Sequence, residues 1–278
     1  FLAPYKVIRV GLDVDLENWR PFEGQVDVDG NEVEDREYNV KDYDRNLIID
    51  ERTQMVAKYV TSWLEKYGTD SKTIVFCVDI EHAERMRQAL ANENLERVID
   101  DYRYVMKITG DDKEGKGQLD NFADVNEQYP TLVTTSKLLT TGVNVKTIKL
   151  IVLESNIGSM TEFKQIVGRG TRLDPEHGKE FFTIMDFRGS TRLFADPDFD
   201  GNPAGSIDMP LPEPGDDGEI PEPVWPDDEE IVEDPDIEDF GPDDVIICDP
   251  PWIDDPDPEK QGKVRVRGVE VKLLNERV

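Results

Sequence analysis

The sequence predicts an α/β protein built on an open parallel sheet with helices on both faces. Four short runs of the chain are apolar on both faces. This pattern is typical of strands that helices cover on both sides. Amphipathic helical stretches lie between these runs, so strand and helix alternate. Two cysteines and two histidines in 278 residues favour apolar packing over a disulfide or zinc scaffold.

The strands and helices follow from local pattern. The apolar runs are each too short for a helix, and they lie at residues 73–78, 131–134, 150–153 and 181–185, after an entry strand at 7–12. Residues such as Met55, Tyr59 and Trp63 recur at three- and four-residue spacing, which predicts a helix from Glu51 to a stop at Gly68. Further helices are expected over 83–90, 118–125 and 161–173.

Composition divides the chain into four parts. Residues 1–50 hold the entry strand and a polar, acid-rich insertion that is expected to leave the core. Residues 51–195 form the main domain. Residues 196–262 are predicted to be an acidic, Pro-rich linker or a strip draped over a partner. Residues 263–278 alternate with period two around a glycine, which predicts a truncated β-hairpin of a following region.

The net charge of −30 is concentrated in one segment. Between Asp196 and Glu259 there are 25 acidic residues, 14 of the 18 prolines and no Lys or Arg, whereas residues 51–195 carry 22 acids and 20 bases. Charge therefore does not exclude nucleic acid as a partner of the main domain.

Targeting signals and metal motifs are not recognisable. No run approaches 18 apolar residues, and the N-terminal sequence has neither an initiator Met nor a basic region, so we expect a fragment without a membrane span or secretory signal. His82 and His177 are expected to be exposed, and paired acids such as those at 227–230 to be solvated. No metal site is predicted.

The segment Gln165–Arg172 carries the strongest chemical signal. Arg169 and Arg172 are three residues apart at a helix end, so both guanidinium groups project to one face. Gly168 and Gly170 beside them allow backbone or ligand to approach closely. Guanidinium groups fork onto phosphate oxygens and stabilise a transferring phosphoryl group. The alternative is a helix C-terminus whose surface arginines interact with the helix dipole.

A Thr-rich loop follows a predicted strand at residues 134–145. Open parallel sheets bind ligands at the carboxyl ends of their strands, so a site is expected in the loops after Val78, Thr109, Thr135 and Glu154. Hydroxyls and amides in the Thr-rich loop can hold backbone phosphates without reading sequence. Ordinary helix capping by the same residues is the alternative.

Residues 110–117 match the pattern G-x-x-x-x-G-K without its final Ser or Thr. The missing hydroxyl would be the magnesium ligand, and Asp111, Asp112 and Glu114 would repel a triphosphate. We therefore predict an exposed acidic turn and not a phosphate loop.

Three segments together resemble motifs IV, V and VI of superfamily 2 helicases, in the order and spacing of the second RecA-like motor domain. They are T-I-V-F-C-V-D at 73–79 followed by Glu81-His82-Ala83, the T-T-x-x-x-x-T-T-G-V-N-V stretch from Thr134, and Q-x-x-G-R-G-x-R from Gln165. More narrowly, residues 1–5, 72–83 and 168–187 resemble the restriction (R) subunit of type I restriction-modification enzymes. The likeness covers about residues 1–195.

The resemblance implies one side of a nucleotide site. In that family the first motor domain binds most of ATP and Mg²⁺, and the second supplies catalytic arginines, here Arg169 and Arg172. It also implies nucleotide contacts from Gln165, Gly168, Gly142 and Asn144, and nucleic-acid contacts from Thr109, Gly110, Thr134 and Thr135. Asn144 replaces the aspartate of the family's Gly-x-Asp, and its amide can hydrogen-bond but cannot pair ionically with an arginine.

The expected function is therefore that of the second motor domain of an ATP-dependent, double-stranded DNA translocase and restriction subunit, inactive when isolated. The implied partners are DNA, the first motor and nuclease domains of the same subunit, and modification and specificity subunits, in a bacterial or archaeal cytoplasm. Two alternatives stay open: the motor half of another superfamily 2 DNA translocase, and a non-catalytic acidic protein-interaction module.

Overall fold

The computed structural model describes residues 3–136, 145–193, 206–208, 263–271 and 273–274. Numbered along the chain, the described strands are β1 (Tyr5–Arg9), β2 (Gly11–Leu12), β3 (Leu47–Ile49), β4 (Lys72–Cys77), β5 (Val105–Lys107), β6 (Leu132–Thr135), β7 (Ile148–Glu154), β8 (Phe182–Asp186), β9 (Ser206–Asp208), β10 (Val264–Val266) and β11 (Leu273–Leu274). Seven of them form one sheet in the order β5-β6-β4-β7-β8-β1-β9, and every pairing in it is parallel.

Eight helices accompany these strands in the described residues. They are α1 (Asp13–Leu16), α2 (Asp50–Tyr67), α3 (Ile80–Glu93), α4 (Leu95–Asp100), α5 (Lys113–Gly117), α6 (Leu119–Ala123), α7 (Met160–Val167) and α8 (Ser190–Leu193). Short 3₁₀ turns lie at Tyr102–Tyr104 and Pro175–His177. No helix of the described residues is long and apolar enough to cross a membrane.

Each face of the sheet supports its own apolar core. Alternate strand residues such as Val75 and Val152 pack with α2 and α3 on one face, and their neighbours Phe76 and Leu153 pack with α6 and α7 on the other. The predicted sheet of parallel strands covered on both faces is therefore confirmed. The strand residues are apolar in continuous runs because both of their faces are buried.

One predicted helix is too long. Helix α7 ends at Val167, whereas the periodicity predicted a helix up to Leu173. Ser159 caps its first turn by accepting from the amide of Glu162, but the amides of Arg169 and Gly170 bond three residues back, in a tighter turn. The arginine-bearing residues therefore lie in a tighter turn that follows the helix.

The insertion predicted within residues 1–50 packs on the core. Val33, Tyr38 and Tyr43 are buried in the same apolar cluster as α2 and α3. Polar, turn-forming residues separate these three side chains in the sequence, so no regular apolar pattern indicated that they are buried. The expectation that the insertion leaves the core was wrong.

The predicted C-terminal hairpin is also wrong. β10 pairs in parallel with β3, and β11 pairs antiparallel with β2, so the two segments join different strands and not each other. Alternation with period two predicts a half-buried strand but does not identify its neighbour. Within the acidic segment 196–262, the structure describes only β9, which extends the sheet beside β1.

Candidate functional site

The arginine-bearing turn, residues 168–172, lies at the amino edge of the sheet. The amide of Ala3 donates to the Thr171 carbonyl at 2.6 Å, just before β1, and Gly170 packs on Phe182 at the start of β8. A helix that follows a parallel strand runs back along the sheet, so α7 begins near the carboxyl end of β7 and ends at the opposite edge. The arginines therefore lie at the edge opposite the carboxyl-edge loops in which the sequence predicted a site.

The polar side chains of this region are unequally exposed. Gln165 on α7 and Arg172 in the turn are exposed, whereas Arg169 is half-buried. Burial, together with the nearby charge of Arg172, lowers the pKa of Arg169. Among the residues that the structure describes, Arg172 has no ion-pair partner. The Arg172 guanidinium is thus accessible to an anion.

The two glycines of the turn have different surroundings. Gly168 caps α7 in helical backbone geometry. A Cβ added at Gly170 would lie 2.3 Å from the Phe182 ring, a distance that real side chains do not show. The predicted close approach at Gly170 is therefore to an aromatic ring of the core, and it fixes the backbone that carries Arg169 and Arg172.

The carboxyl edge holds the residues expected to contact nucleic acid. The Thr134 hydroxyl donates to the Ala83 carbonyl at 2.8 Å, and the Thr135 hydroxyl donates to the Ile108 carbonyl at 2.7 Å. Thr109 is buried as well and donates to Asp111, while Gly110 is exposed. The three hydroxyls are thus bonded within the protein, and a phosphate cannot reach them in this arrangement.

Two of the expected nucleotide contacts cannot be placed. Gly142 and Asn144 lie outside the described residues, as does most of the Thr-rich loop that follows β6.

The acidic turn at residues 110–117 does not cradle a phosphate. Asp112 accepts hydrogen bonds from the amides of Glu114 and Gly115, which are the donors that a phosphate would need. The turn satisfies its own helix N-terminus with a carboxylate, so these amides are not available to a phosphate.

A network of buried charges, which the sequence analysis missed, fills the centre of the carboxyl edge. Glu154 at the end of β7 accepts hydrogen bonds from Arg52 and Arg188. Further hydrogen bonds join Arg52 to Asp15, and both Arg188 and Arg85 to Asp44. Arg52 lies on the apolar stripe of α2, three residues before Met55, and that position was the signal for its burial.

His82 also belongs to this network and is fully buried, contrary to the expectation that it is exposed. Its Nδ1 accepts from the Val78 amide at 3.3 Å, which places the proton on Nε2. Nε2 lies 3.8 Å from a Glu154 oxygen. Burial lowers the pKa of His82 to about 4, so the ring is neutral at pH 7.

Asp44, His82 and Glu154 bring three metal-ligating atoms within 4.8 Å of one another. Their surroundings do not fit a cation. Arg52, Arg85 and Arg188 already donate to the two carboxylates and, with Asp15, balance their charge. A divalent ion would add uncompensated positive charge to a buried site. We assign the cluster a structural role.

Comparison with known proteins identifies the fold's relatives. The family model described as the helicase conserved C-terminal domain matches residues 36–174. The type I restriction enzyme EcoAI endonuclease subunit of Escherichia coli is 49% identical over 100% of this chain and 35% of its own length. The EcoKI endonuclease subunit of Escherichia coli strain K12 is 34% identical over 55% of this chain and 13% of its own length.

A solved structure agrees with these matches. The fragment structure of a type I restriction enzyme HsdR subunit from Vibrio vulnificus YJ016 superposes with a TM-score of 0.62 and 41% identity, covering 75% of this chain and 36% of that one. The chain therefore spans about a third of the length of the EcoAI subunit and of the Vibrio fragment. The resemblance to type I restriction subunits that the motifs indicated is confirmed.

Proposed function

Because this chain belongs to the family of the helicase conserved C-terminal domain, we propose that it is the second motor domain of an ATP-dependent, double-stranded DNA-translocating restriction subunit. The proposal is supported by 49% identity to the EcoAI endonuclease subunit over the whole chain. The observation that carries its mechanism is the Arg172 guanidinium, which is exposed and has no ion-pair partner among the described residues.

Arg169 and Arg172 are proposed to reach the γ-phosphate of a nucleotide held on the preceding motor domain. A guanidinium group donates in a fixed fork that matches phosphate oxygens and stays charged throughout the reaction. Gln165, one helical turn before Arg169, is proposed to contact the same phosphate or its attacking water. Because these side chains lie at the amino edge, this edge is the surface that we propose faces the nucleotide.

The donor set of this chain fits part of an ATP site. It offers arginines for the γ-phosphate, but the one segment that resembles a phosphate loop has its amides bonded to Asp112. ATP and Mg²⁺ are therefore proposed to be held mainly by the first motor domain, and bound ATP supplies the phosphoanhydride bond whose hydrolysis drives the cycle. Because the nucleotide is proposed to lie on the first motor domain, the rule that ligands bind at carboxyl edges is expected to apply to that domain.

The flank of the carboxyl edge is proposed to contact the DNA backbone. Gly110 is exposed there, and the hydroxyls of Thr109 and Thr135 bond to the residues on either side of it, Asp111 and Ile108. Contacts through main-chain amides and loop residues do not read bases. Target choice is accordingly proposed to belong to modification and specificity subunits, and DNA cleavage to a nuclease domain, in a bacterial or archaeal cytoplasm.

The test uses the intact subunit with its partner subunits. Arg172→Ala is expected to lower DNA-stimulated ATP hydrolysis by about 10³-fold, in line with the contribution of arginine fingers. Arg172→Lys, which keeps the charge without the fork, is expected to recover only part of the loss. Arg20→Ala, at an exposed pair with Asp35, is the matched control and should retain full activity.

A folded Arg172→Ala subunit with wild-type ATPase and translocation rates would refute the proposed role of the arginine pair. Circular dichroism and the melting temperature of each variant establish that the fold is retained.

A further inference from the structure

Two lysines are buried at the amino edge of the sheet. Lys72 begins β4 and donates to the Pro130 carbonyl at 2.7 Å, and Lys179 precedes β8 and donates to the Lys146 carbonyl at 2.9 Å. Each ammonium also lies over a phenylalanine ring, Phe122 or Phe182, at 5.3 and 5.7 Å from the ring centroid. Within the described part of the chain, neither ammonium forms an ion pair.

Such ammonium groups are costly to bury. A single carbonyl acceptor and a ring replace only part of the hydration that the ammonium loses. An apolar side chain of similar size would pack in the same space without that loss. The stability of the fold therefore does not explain why position 179 carries a charge.

The surroundings of Lys179 connect it to the arginine-bearing turn. The main chains of Lys179 and Asp174 exchange two hydrogen bonds, which close a loop that begins two residues after Arg172. The Phe182 ring beneath the Lys179 ammonium is the ring against which Gly170 packs. Lys179 thus contacts Asp174, which follows Arg172 in the chain, and Phe182, on which the preceding Gly170 packs.

Positive charge accumulates around Lys179. The Lys149 ammonium lies 3.9 Å from the position that a Cβ at Gly178 would take. Burial lowers the pKa of Lys179 to about 8. The charge of Asp174 opposes this shift, and the charges of Arg172 and Lys149 add to it. The charges of Lys179 and Arg172 therefore repel each other, and the Arg172 side chain is exposed to solvent.

We infer that Lys179 is a positioning residue for Arg172. Its ammonium ties the loop after Arg172 to the start of β7 and repels the guanidinium outward, toward the phosphate of the proposed interface. The inference rests on the proposed function. An anion that binds Arg172 relieves the repulsion between the Arg172 and Lys179 charges. Without the Lys179 charge there is less repulsion to relieve, so phosphate should stabilise this edge of the sheet less.

Three variants of the intact subunit test the inference. Lys179→Met removes the charge and keeps the size of the side chain. Lys179→Gln removes the charge and keeps a donor for the Lys146 carbonyl, which provides a second variant if the first does not fold. Lys72→Met, a change of the same chemistry on β4, two strands away from β8 in the sheet, is the matched control.

Lys179→Met and Lys179→Gln are expected to lower the kcat of DNA-stimulated ATP hydrolysis about tenfold, with KM for ATP within about twofold, because a misplaced guanidinium weakens the transition state. Their melting temperatures should be no lower than that of Lys72→Met. Inorganic pyrophosphate should raise the melting temperature of Lys179→Met and Lys179→Gln less than that of Lys72→Met.

Two results overturn the inference. One is a kcat of both Lys179 variants equal to that of Lys72→Met, and the other is an unchanged response to pyrophosphate. If Arg172→Ala is inactive in the same assay, only the role of Lys179 is then lost. If Arg172→Ala is fully active, the proposed function itself fails.

Discussion

Arg52 and Glu154 are joined by two hydrogen bonds, of 2.7 and 3.1 Å, although 102 residues separate them in the sequence. Both side chains are buried at the carboxyl edge of the sheet. Burial would raise the pKa of Glu154, but Arg188 and Arg52 hold it below its usual range. The centre of the edge that commonly binds ligands in open α/β sheets is therefore filled by the protein's own charges.

Arg52→Met is expected to destabilise the chain by about 4 kcal/mol, because Asp15 and Glu154 then remain buried without their main cation. Urea unfolding followed by circular dichroism measures the change. Arg20→Ala, which breaks an exposed pair with Asp35, serves as the control and should change stability by less than about 1 kcal/mol. Equal effects of the two substitutions would contradict a structural role for the network.

Acidification is expected to destabilise the protein through His82. Its pKa is 6.5 when unfolded and about 4 when buried, so the unfolded chain binds more protons between those pH values. Stability is fully present above pH 6.5 and falls by about 3 kcal/mol as the pH drops to 4. The free energy of unfolding, measured from pH 7 to 4, should fall less in His82→Gln, and parallel curves would exclude this contribution.

The charge network shows where the sequence was sufficient and where it was not. The apolar runs predicted β4, β6, β7 and β8 because both faces of a central strand are buried. The sequence reasoning expected His82 to be exposed and did not single out Arg52. Only the tertiary fold brings Asp15, Asp44 and Glu154, from three distant segments, to these cations, and no local pattern records such pairings.

The arginine-bearing turn shows the same division. Its residues and their chemistry were recognisable from the spacing of Arg169 and Arg172. Their place in the fold was not, because the prediction assigned every functional loop to the carboxyl edge. The direction of α7, which runs back along the sheet from the carboxyl end of β7, sets that place.

Gly170→Ala is expected to destabilise the chain by about 2 kcal/mol, since the new Cβ would lie 2.3 Å from the Phe182 ring. The displaced turn should also lower the ATPase activity of the intact subunit. Gly117→Ala is the matched control, because a Cβ there meets nothing within 4 Å. A second change, Phe182→Leu, should restore part of the stability by making room. Thermal unfolding measures each variant, and an unperturbed Gly170→Ala protein would contradict the close packing.

The isolated 278-residue chain is expected to hydrolyse ATP at no more than the background rate, because its arginines act on a nucleotide that another domain holds. A phosphate-release assay with Mg²⁺ and DNA measures the rate, and Arg172→Ala of the same chain shows whether any residual turnover belongs to this protein. Magnesium-dependent turnover that Arg172→Ala abolishes would mean that the chain contains a complete site.

The acidic segment is expected to oppose DNA binding by the isolated chain. It repels phosphates at long range, so binding should be weak and should weaken further as salt screens the basic contacts. Neutralising Asp227, Asp228, Glu229 and Glu230 to their amides should strengthen binding at low salt by severalfold and change it little at high salt, where repulsion is already screened. Fluorescence anisotropy with labelled duplex DNA measures both. The neutralised chain could instead lose binding to a partner subunit while the motor activity of the intact subunit is unchanged. Charge repulsion of DNA predicts no such loss, so this result would identify the segment as a protein-docking element.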